Sequence, residues 1–397
     1  MEILIATIIG IVFGYITGLT PGVHINMVSL LVLSSSVFLL QFTSPVILAV
    51  FIVAMSVTHT FLDTLPSIFL GAPDSSTILS VLPGHRLLLE GRGYEAVALT
   101  IFGSLLAVLF SALIAPLLIL GVNNIYSLIE NYIAYILILI SLILILKEIK
   151  SRFWAFIIFM MSGLLGLGVL NLNLSQPLFP LLSGLFGTSI LILSIAQKTN
   201  IPKQKVTQMN IKKKDVAKAM GSGLFASILV GFLPGVGSSQ AAIVATAPLK
   251  RITTETFLVL VGSLNTIVMI LSFIALYTID KARNGSVVVI SKILETFNLD
   301  YLILFLGISL LVAGIATIIA LKTTKGFVKI IGKVNYSKLC LSIIILVTIL
   351  VIVFTGFLGL FVLTISTFVG MLPSLKGIGK NHLMGSLLLP VILFFLL

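Results

Sequence analysis

Long apolar runs without charged residues recur along the whole chain, and they restrict its fold more than any other feature. A helix needs about 20 apolar residues to cross the hydrocarbon core of a bilayer. The clear runs near that length are Val97–Leu120, Tyr132–Leu146, Phe153–Leu170, Phe179–Ala196, Thr256–Ala275, Tyr301–Leu321 and Leu339–Thr355. They are continuous rather than alternating, which favours helices over the strands of a membrane barrel.

The composition agrees with a membrane protein. Hydrophobic residues make up 59% of the chain and charged residues only 9%, whereas a soluble domain carries about 25% charged residues. The sequence therefore predicts an all-α polytopic transmembrane helical bundle in the cell membrane, with the lipid bilayer as its surroundings. Counting the less clear runs, we expect about 10–12 spans, some of them short or broken.

The excess of basic residues is concentrated in three short polar segments. The formal net charge is +12, and the segments are Lys147–Arg152, Lys198–Lys218 and Lys322–Lys338. Basic residues near membrane spans determine orientation, and they remain on the cytoplasmic side. We therefore expect these loops to be cytoplasmic, and we expect no nucleic acid partner.

One short motif occurs on both sides of the central polar stretch. Gly18–Val23 reads GLTPGV and Gly231–Val236 reads GFLPGV, and the two start 213 residues apart. We therefore divide the chain into a first transmembrane repeat (1–197), a basic linker (198–214) and a second repeat (215–397).

A second resemblance between the halves lies further along. Thr58–Thr60 and Asp74 correspond to Leu264–Thr266 and Asp280, at a separation of 206 residues for the two aspartates. Two resemblances in the same order indicate an internal repeat. We expect two inverted-type repeats related by a pseudo-two-fold axis, as in many carriers.

The repeated motif is typical of a broken helical hairpin. Proline removes a backbone donor and glycine permits a tight reversal. Broken backbone within a bilayer is tolerated only where protein or a wet cavity covers it, and the helix that restarts there directs free N–H groups at the break. Alternatively, each Pro-Gly could serve packing or a simple loop turn.

Under the hairpin interpretation, the two breaks meet in one cavity that binds an anion. The residues expected to line it are Thr20, Pro21, Gly22, Asn26, Pro234, Gly235, Ser238 and Ser239.

Ionisable residues in apolar surroundings are candidates for coupling transport to an ion. His59 and Asp63 are four residues apart, which places them on one face of a helix. Such groups usually face a cavity, pair with one another or move protons and ions. Asp74 is a third candidate. Alternatively, His59 and Asp63 form a structural pair or lie at a helix end at the membrane interface. A metal site formed with His24 is a further alternative, for which spacing alone is weak support.

Charged residues near Pro83-Gly84 have two interpretations. Arg86, Glu90 and Arg92 flank what the sequence predicts to be a turn. They form either a solvated loop at the membrane face or a charged vestibule for anions.

The motifs together resemble a known family, the large permease subunit of the tripartite tricarboxylate transporters (TctA). The early Gly-x-x-Pro-Gly with Asn26 is similar to that family, as is Gly231–Ser239. The glycine- and proline-rich stretch formed by Gly71–Thr77 (GAPDSST), Leu82–His85 (LPGH) and Gly91–Ala96 (GRGYEA) is also similar.

The resemblance implies a many-helix inner-membrane carrier. The best understood members import citrate or other carboxylates with a small membrane subunit and a periplasmic, extracytoplasmic binding protein. The resemblance therefore implies that this chain takes up an organic anion. It also implies a small membrane subunit and an extracytoplasmic binding protein as partners.

The favoured function is a secondary transporter for a small organic anion, with a carboxylate as the favoured class. It would work by alternating access, with Na⁺ or H⁺ as coupling ion and no other cofactor, and we expect no enzymatic activity. Two alternatives remain open at this point: a translocase for a lipid-linked phosphate, and an intramembrane enzyme using His24, His59 and Asp63. A channel is also compatible with the sequence.

Overall fold

A computed structural model describes most of the 397 residues, and every regular element within that part of the chain is helical. The described residues are 1–20, 25–71, 81–129, 132–148, 151–196, 201–231, 238–246, 249, 252–282, 284–331 and 335–397. This confirms the predicted all-α bundle.

The first half contains eleven α-helices in the described ranges. They are α1 (Glu2–Leu19), α2 (Ile25–Ser34), α3 (Ser36–Leu39), α4 (Pro45–Leu62), α5 (Thr64–Leu70), α6 (Val81–Leu89), α7 (Gly93–Ile129), α8 (Ile133–Leu146), α9 (Arg152–Leu170), α10 (Leu178–Leu182) and α11 (Ser189–Ala196). A π-helical turn, Ser183–Thr188, joins α10 to α11.

The second half follows a stretch without regular secondary structure, 201–212. Its helices are α12 (Lys213–Gly231), α13 (Ser238–Thr246), α14 (Thr254–Ile279), α15 (Gly285–Leu294), α16 (Leu299–Ile331), α17 (Tyr336–Lys376) and α18 (Gly385–Leu396). A 3₁₀ turn, Lys380–Met384, precedes α18.

Eight helical segments in the described residues are long and apolar enough to cross a membrane. Three shorter apolar helices accompany them, so the long spans alone number fewer than the predicted 10–12. The helix α17 also breaks at Gly356, whose φ of 67° lies in the left-handed region. There Ser175 Oγ donates to the carbonyl oxygen of Phe354, 2.5 Å away.

The outer surface is apolar, as an integral membrane protein requires. Large side chains such as Leu113, Leu117 and Phe357 are 76%, 71% and 81% exposed. In water such a surface would be unfavourable, whereas in lipid it faces acyl chains. The helices α14 and α4–α5 are the most enclosed spans, with 94% and 78% of their central windows buried, and they form the middle of the bundle.

Short polar residues begin several of these helices. Ser44 accepts a hydrogen bond from Ile47 N, with Pro45 as the first residue of α4, and Thr253 accepts from Thr256 N at the start of α14. Such caps satisfy backbone donors that the first turn leaves open.

Helix α1 lies against α4 through three glycines at four-residue spacing. A Cβ added at Gly10, Gly14 or Gly18 would lie 2.7, 2.6 or 2.8 Å from the Cβ of Ala54, Thr58 or Leu62. The contacted positions on α4 increase in the same order as the glycine positions on α1, so the two helices run in the same direction. The chain must therefore return across the bundle between the end of α1 and the start of α4.

The second half repeats one of these contacts. Around Gly10 the nearest residues are Phe51, Ala54 and Met55, and around Gly223 of α12 they are Leu260, Ser263 and Leu264 of α14. Each pair of neighbours is separated by 209 residues. The α1–α4 and α12–α14 crossings thus have equivalent neighbours, while the two inverted-type repeats and their axis stay a prediction.

The most extensive contact between the two halves is the crossing of α7 and α14. A Cβ at Gly103 would lie 2.1 Å from the carbonyl oxygen of Val259, and one at Gly262 would lie 2.1 Å from that of Thr100. Ser104 Oγ donates to the Gly262 carbonyl oxygen at 2.9 Å. Small residues permit such close approach of helix backbones in membranes, and here they bring α14 to the centre.

Candidate functional site

Asp63 lies at the junction between α4 and α5. Its backbone N–H donates to the His59 carbonyl oxygen, and its own carbonyl oxygen accepts from Ser67 Oγ at 2.8 Å. The residue is 3% exposed. A carboxylate at this depth is costly to keep charged unless other groups stabilise it.

A side chain from the second half provides such stabilisation. Asn265 of α14 donates from Nδ2 to Asp63 Oδ2 at 3.1 Å. Asn265 Oδ1 in turn accepts from Ser238 Oγ at 3.4 Å. We call Asp63, Asn265 and Ser238 the carboxylate junction; all three are buried.

The junction connects both halves near one of the predicted breaks. Ser238 begins α13 as the structure describes it, and it lies four residues after Pro234. The second Pro-Gly motif is therefore close in sequence to a residue that reaches Asp63 through Asn265. Here, within the described part of the chain, predicted site residues from both halves are joined.

His59 contacts α1. Its Nδ1 lies 3.1 Å from Thr17 Oγ1, within hydrogen-bonding distance, and the imidazole is 2% exposed. The backbone N–H of Asp63 donates to the His59 carbonyl oxygen. The two residues therefore have the helical spacing that the sequence predicts. The contact with Thr17 links His59 to the last turn of α1, just before the first Pro-Gly motif.

A second polar contact between the halves involves the helix that follows the first break. Ser29 Oγ of α2 donates to Ser286 Oγ of α15 at 3.0 Å. Asn26 lies against Gly285, where an added Cβ would be 2.6 Å from the Asn26 Cγ. The start of α15 also donates from Asn284 N to Ser272 Oγ at 2.8 Å.

Helix α14 lies beside both polar contacts, because Asn265 belongs to the junction and Ser272 accepts from Asn284 N at the start of α15. Asn265 and Ser272 are seven residues apart, which puts them on one face of the helix, separated by about 10 Å along its axis. The junction lies at one level of this face, and the α2–α15 contact lies about two turns further along.

The remaining predicted site residues divide into two groups. Thr20 Oγ1 donates to the Ile16 carbonyl oxygen at 2.7 Å within its own helix, and Ser239 belongs to the first turn of α13. Pro21, Gly22, His24, Asp74, Pro234 and Gly235 lie outside the described residues. A cavity shared by all these residues therefore stays a prediction.

Sequence reasoning did not place Asn265 in the site. In the sequence, Asn265 is noted only as the counterpart of His59 at a separation of 206 residues. The helix packing instead relates the two halves at 209 residues, so that Val268 is the counterpart of His59. The available signal was a single amide in a long apolar run, because a buried amide needs hydrogen-bond partners.

The charged residues near the start of α7 form an internal network. Arg92 donates to Glu95 and Glu255 at 2.9 Å and to Glu90 at 3.3 Å. The hydrogen bonds with Glu95 raise the pKa of Arg92. Because three carboxylates share this guanidinium, Arg92 is not available as a cation for an anion vestibule.

The basic linker packs against this network. Asn210 N and Thr207 Oγ1 donate to Glu95 at 3.0 and 3.3 Å, and Gln204 accepts from Gly93 N at 2.9 Å. The linker therefore lies at the end of the bundle where α7 and α14 begin.

The expected turn at Pro83-Gly84 is instead part of a helix. Both residues lie within α6, and a Cβ at Gly84 would be 2.5 Å from Ile68 of α5. Close packing of α6 on α5 explains the glycine. Burial lowers the pKa of the neighbouring His85, which favours its neutral form.

The carboxylate junction has chemistry suited to a small cation or a proton. Carboxylate and amide oxygens are ligands for hard cations, and a carboxylate can also bind a proton. The hydroxyl of Ser238 adds a neutral donor and acceptor.

Comparison with known proteins identifies relatives along nearly the whole chain. The family model "Tripartite tricarboxylate transporter TctA family" matches residues 4–385. A protein of Methanocaldococcus jannaschii, described as uncharacterized, is 32% identical over 412 aligned positions that cover 99% of each chain. No solved structure matches the chain. The protein is thus an integral membrane protein that belongs to the tripartite tricarboxylate transporter TctA family, a family of transporter components.

Proposed function

We propose that this protein is a secondary carrier for a small organic anion, with carboxylates as the substrate class. The observation that supports this most strongly is the carboxylate junction, where Asp63 of the first half and Ser238 of the second meet through Asn265. Carriers built from two repeats bind substrate and coupling ion where the repeats meet. The family contributes the general class, that of a tricarboxylate transporter component.

The anion would be bound chiefly by neutral groups. The helices that follow the two Pro-Gly motifs would present backbone N–H groups to carboxylate oxygens. Ser238 and Asn26 would add hydrogen bonds near these breaks. Neutral donors avoid the cost of burying an uncompensated charge when the site is empty.

The coupling ion would be held at Asp63. Na⁺ or H⁺ at this carboxylate would neutralise its charge and so allow an anion to approach. The site would thus be complete only when the ion is present, which is the physical basis of coupling. Alternating access would expose the loaded site to one side and then to the other.

The orientation that we propose puts the basic segments in the cytoplasm. The linker residues 203–210 lie beside the start of α7, so this end of the bundle would be cytoplasmic. Their excess of lysine supports this orientation. A small membrane subunit and an extracytoplasmic binding protein would be the partners, as the family name "tripartite" indicates.

Uptake into proteoliposomes tests the proposal. The purified protein would be reconstituted and offered radiolabelled mono-, di- and tricarboxylates under an inward Na⁺ gradient, an inward H⁺ gradient or neither. We expect one carboxylate class to accumulate under one of the gradients, and Asp63→Asn to lose that accumulation. The binding protein and small subunit would be added in a parallel series, because family members work in such assemblies.

Two further variants separate the hairpin interpretation from simple packing. Gly22→Leu and Gly235→Leu should abolish uptake while the protein remains inserted and monodisperse. Normal uptake by both variants would refute the hairpin interpretation and leave the Pro-Gly motifs as packing elements. Accumulation of a lipid-linked phosphate in place of every carboxylate would refute the proposed function.

A further inference from the structure

Lys380 is buried in a part of the molecule that the proposed carrier site does not use. It begins the 3₁₀ turn Lys380–Met384 and is only 5% exposed. No other Lys or Arg side chain of the described residues is buried. A lysine ammonium is strongly hydrated in water, so its burial requires an explanation.

The contacts of Lys380 compensate poorly for that burial. Within the described chain its hydrogen-bond partner is Ser189 Oγ, 3.3 Å from Nζ, and no carboxylate lies within ion-pair distance. An ammonium has three N–H donors and no acceptor. One long hydrogen bond to a hydroxyl leaves most of the lost hydration unreplaced.

An acidic residue, Glu148, contacts the residues on either side of Lys380. Glu148 Oε2 accepts from Gly379 N at 3.1 Å and lies 3.1 Å from His382 Nε2. These two contacts hold the turn on either side of Lys380 in the sequence. Glu148 therefore fixes the turn that carries Lys380, without pairing with its amine.

The other charged groups near this turn have different partners. Lys376 Nζ lies 4.0 Å from the centre of the Trp154 ring, and Arg152 donates to the Leu146 carbonyl oxygen at 3.1 Å. Lys147, next to Glu148, also lies at this end of α8. The helices α10, α11 and α18 and the π-helical turn contain no titratable side chains.

Ser189 connects the lysine to the π-helical turn. Its hydroxyl donates to the Leu185 carbonyl oxygen at 2.7 Å, so its oxygen is left to accept from Lys380. The same carbonyl oxygen is the point where α17 approaches: a Cβ at Gly370 would lie 2.2 Å from it. π-Helical turns within α-helices are frequently found at functional sites.

We propose that Lys380 is a proton-binding site inside the fold that takes up and releases one proton near neutral pH. When the amine is charged, it donates to Ser189, and Ser189 donates to the Leu185 carbonyl. When Nζ has lost its proton to water, its lone pair can accept the Ser189 hydroxyl instead. The charged lysine thus leaves the Ser189 hydroxyl bonded to the Leu185 carbonyl oxygen, whereas the neutral lysine removes that bond. The carbonyl oxygen lies where α17 contacts the π-helical turn.

Desolvation gives this exchange the right pH range. Burial lowers the pKa of Lys380, which lies outside the eight long spans, to about 7, from about 10.4 in an unfolded chain. Between these values the unfolded chain binds the proton and the folded chain does not. Stability therefore rises with pH across this window. As a proton site, Lys380 is independent of the proposed carrier function.

The test measures thermal stability and needs no transported substrate. Apparent Tm of the full-length protein in detergent would be recorded from pH 6 to pH 10 for wild type and Lys380→Met. The matched control is Lys329→Met, because Lys329 is exposed on α16. We expect the Tm of wild type relative to Lys380→Met to rise by several degrees between pH 7 and pH 10, while the control tracks wild type.

Two further variants make the outcome decisive. Lys380→Arg, which stays charged, should be less stable than wild type above pH 7, and Lys380→Gln should behave as Lys380→Met does. A Tm difference that does not change with pH would overturn the proposal, as would loss of folding in both neutral variants, because the charge would then be a required structural partner. Failure of carboxylate uptake would leave the Tm result unchanged, so the two proposals fail separately.

Discussion

Asp63 and Asn265 show how a single polar contact can join two halves of an apolar bundle. Each residue lies in a long apolar segment, and each would be costly to bury alone. Together they form a hydrogen bond of 3.1 Å that spans 202 positions of sequence. The pair therefore fixes α4 against α14 and also provides the carboxylate of the proposed site.

Removing the amide should destabilise the protein. Asn265→Ala takes a donor from Asp63 and an acceptor from Ser238, and the loss of a hydrogen bond to a charged group costs about 1.5–3 kcal/mol. We expect a clear fall in apparent Tm in detergent. Asn171→Ala is the matched control, because Asn171 is exposed and bonds only within its helix. Equal Tm values for the two variants would show that the junction contributes nothing to stability.

At this scale the sequence predicted some residues and missed others. Asp63 was identified because an acid in an apolar run is conspicuous. Asn265 was missed as a site residue because a lone amide reveals its importance only through its partner. Lys380 was missed because its surroundings, Gly377 to Asn381, are polar and glycine-rich, which is typical of an exposed loop.

The helices themselves were well predicted, because apolar length and charge-free runs determine which segments can span a bilayer. All seven clear runs are helical. Their packing was not predicted, because contacts such as that between Gly103 and Val259 depend on the register of helices distant in sequence. The break at Gly356 was also missed, since glycine is common in membrane helices.

The crossing of α7 and α14 provides a prediction at the level of helices. Gly103→Ala would place a methyl group 2.1 Å from the Val259 carbonyl oxygen, so the helices must separate. Overpacking of this kind costs about 1–3 kcal/mol. Gly314→Ala on α16 is the control, because nothing lies within 4 Å of its added Cβ. We expect Gly103→Ala alone to lower apparent Tm, and an unchanged Tm would contradict this packing.

Arg92 provides a second prediction at this level. It connects α7 and α14 through Glu95 and Glu255. The linker also donates hydrogen bonds to Glu95. Arg92→Gln should loosen the linker and increase the rate of tryptic cleavage at Lys203 and Lys205 several-fold. Arg86→Gln is the control, since the Arg86–Glu90 pair is largely exposed and exposed pairs contribute little. Cleavage at equal rates in both variants would argue against a docked linker.

The whole molecule has a predicted orientation that labelling can test. In a Cys340→Ser background, Lys205→Cys and Lys329→Cys would be treated with a membrane-impermeant thiol reagent. We expect little labelling in intact cells and strong labelling in inverted vesicles, because both positions belong to basic segments. Strong labelling of intact cells would reverse the orientation and also that of the starts of α7 and α14.

The proposed transport mechanism requires both halves of the molecule to contribute to one site at the carboxylate junction. A double-mutant cycle with Asp63→Asn and Ser238→Ala tests this most directly. It would be read as the KM of carboxylate exchange in proteoliposomes without an ion gradient, because Asp63→Asn would mimic the neutralised carboxylate and leave exchange measurable. Ser309→Ala replaces Ser238→Ala in the control cycle, because Ser309 bonds only within α16. We predict a coupling energy of at least about 0.5 kcal/mol for the first cycle and additivity for the control. Additive effects of Asp63→Asn and Ser238→Ala would contradict a site shared by the two halves.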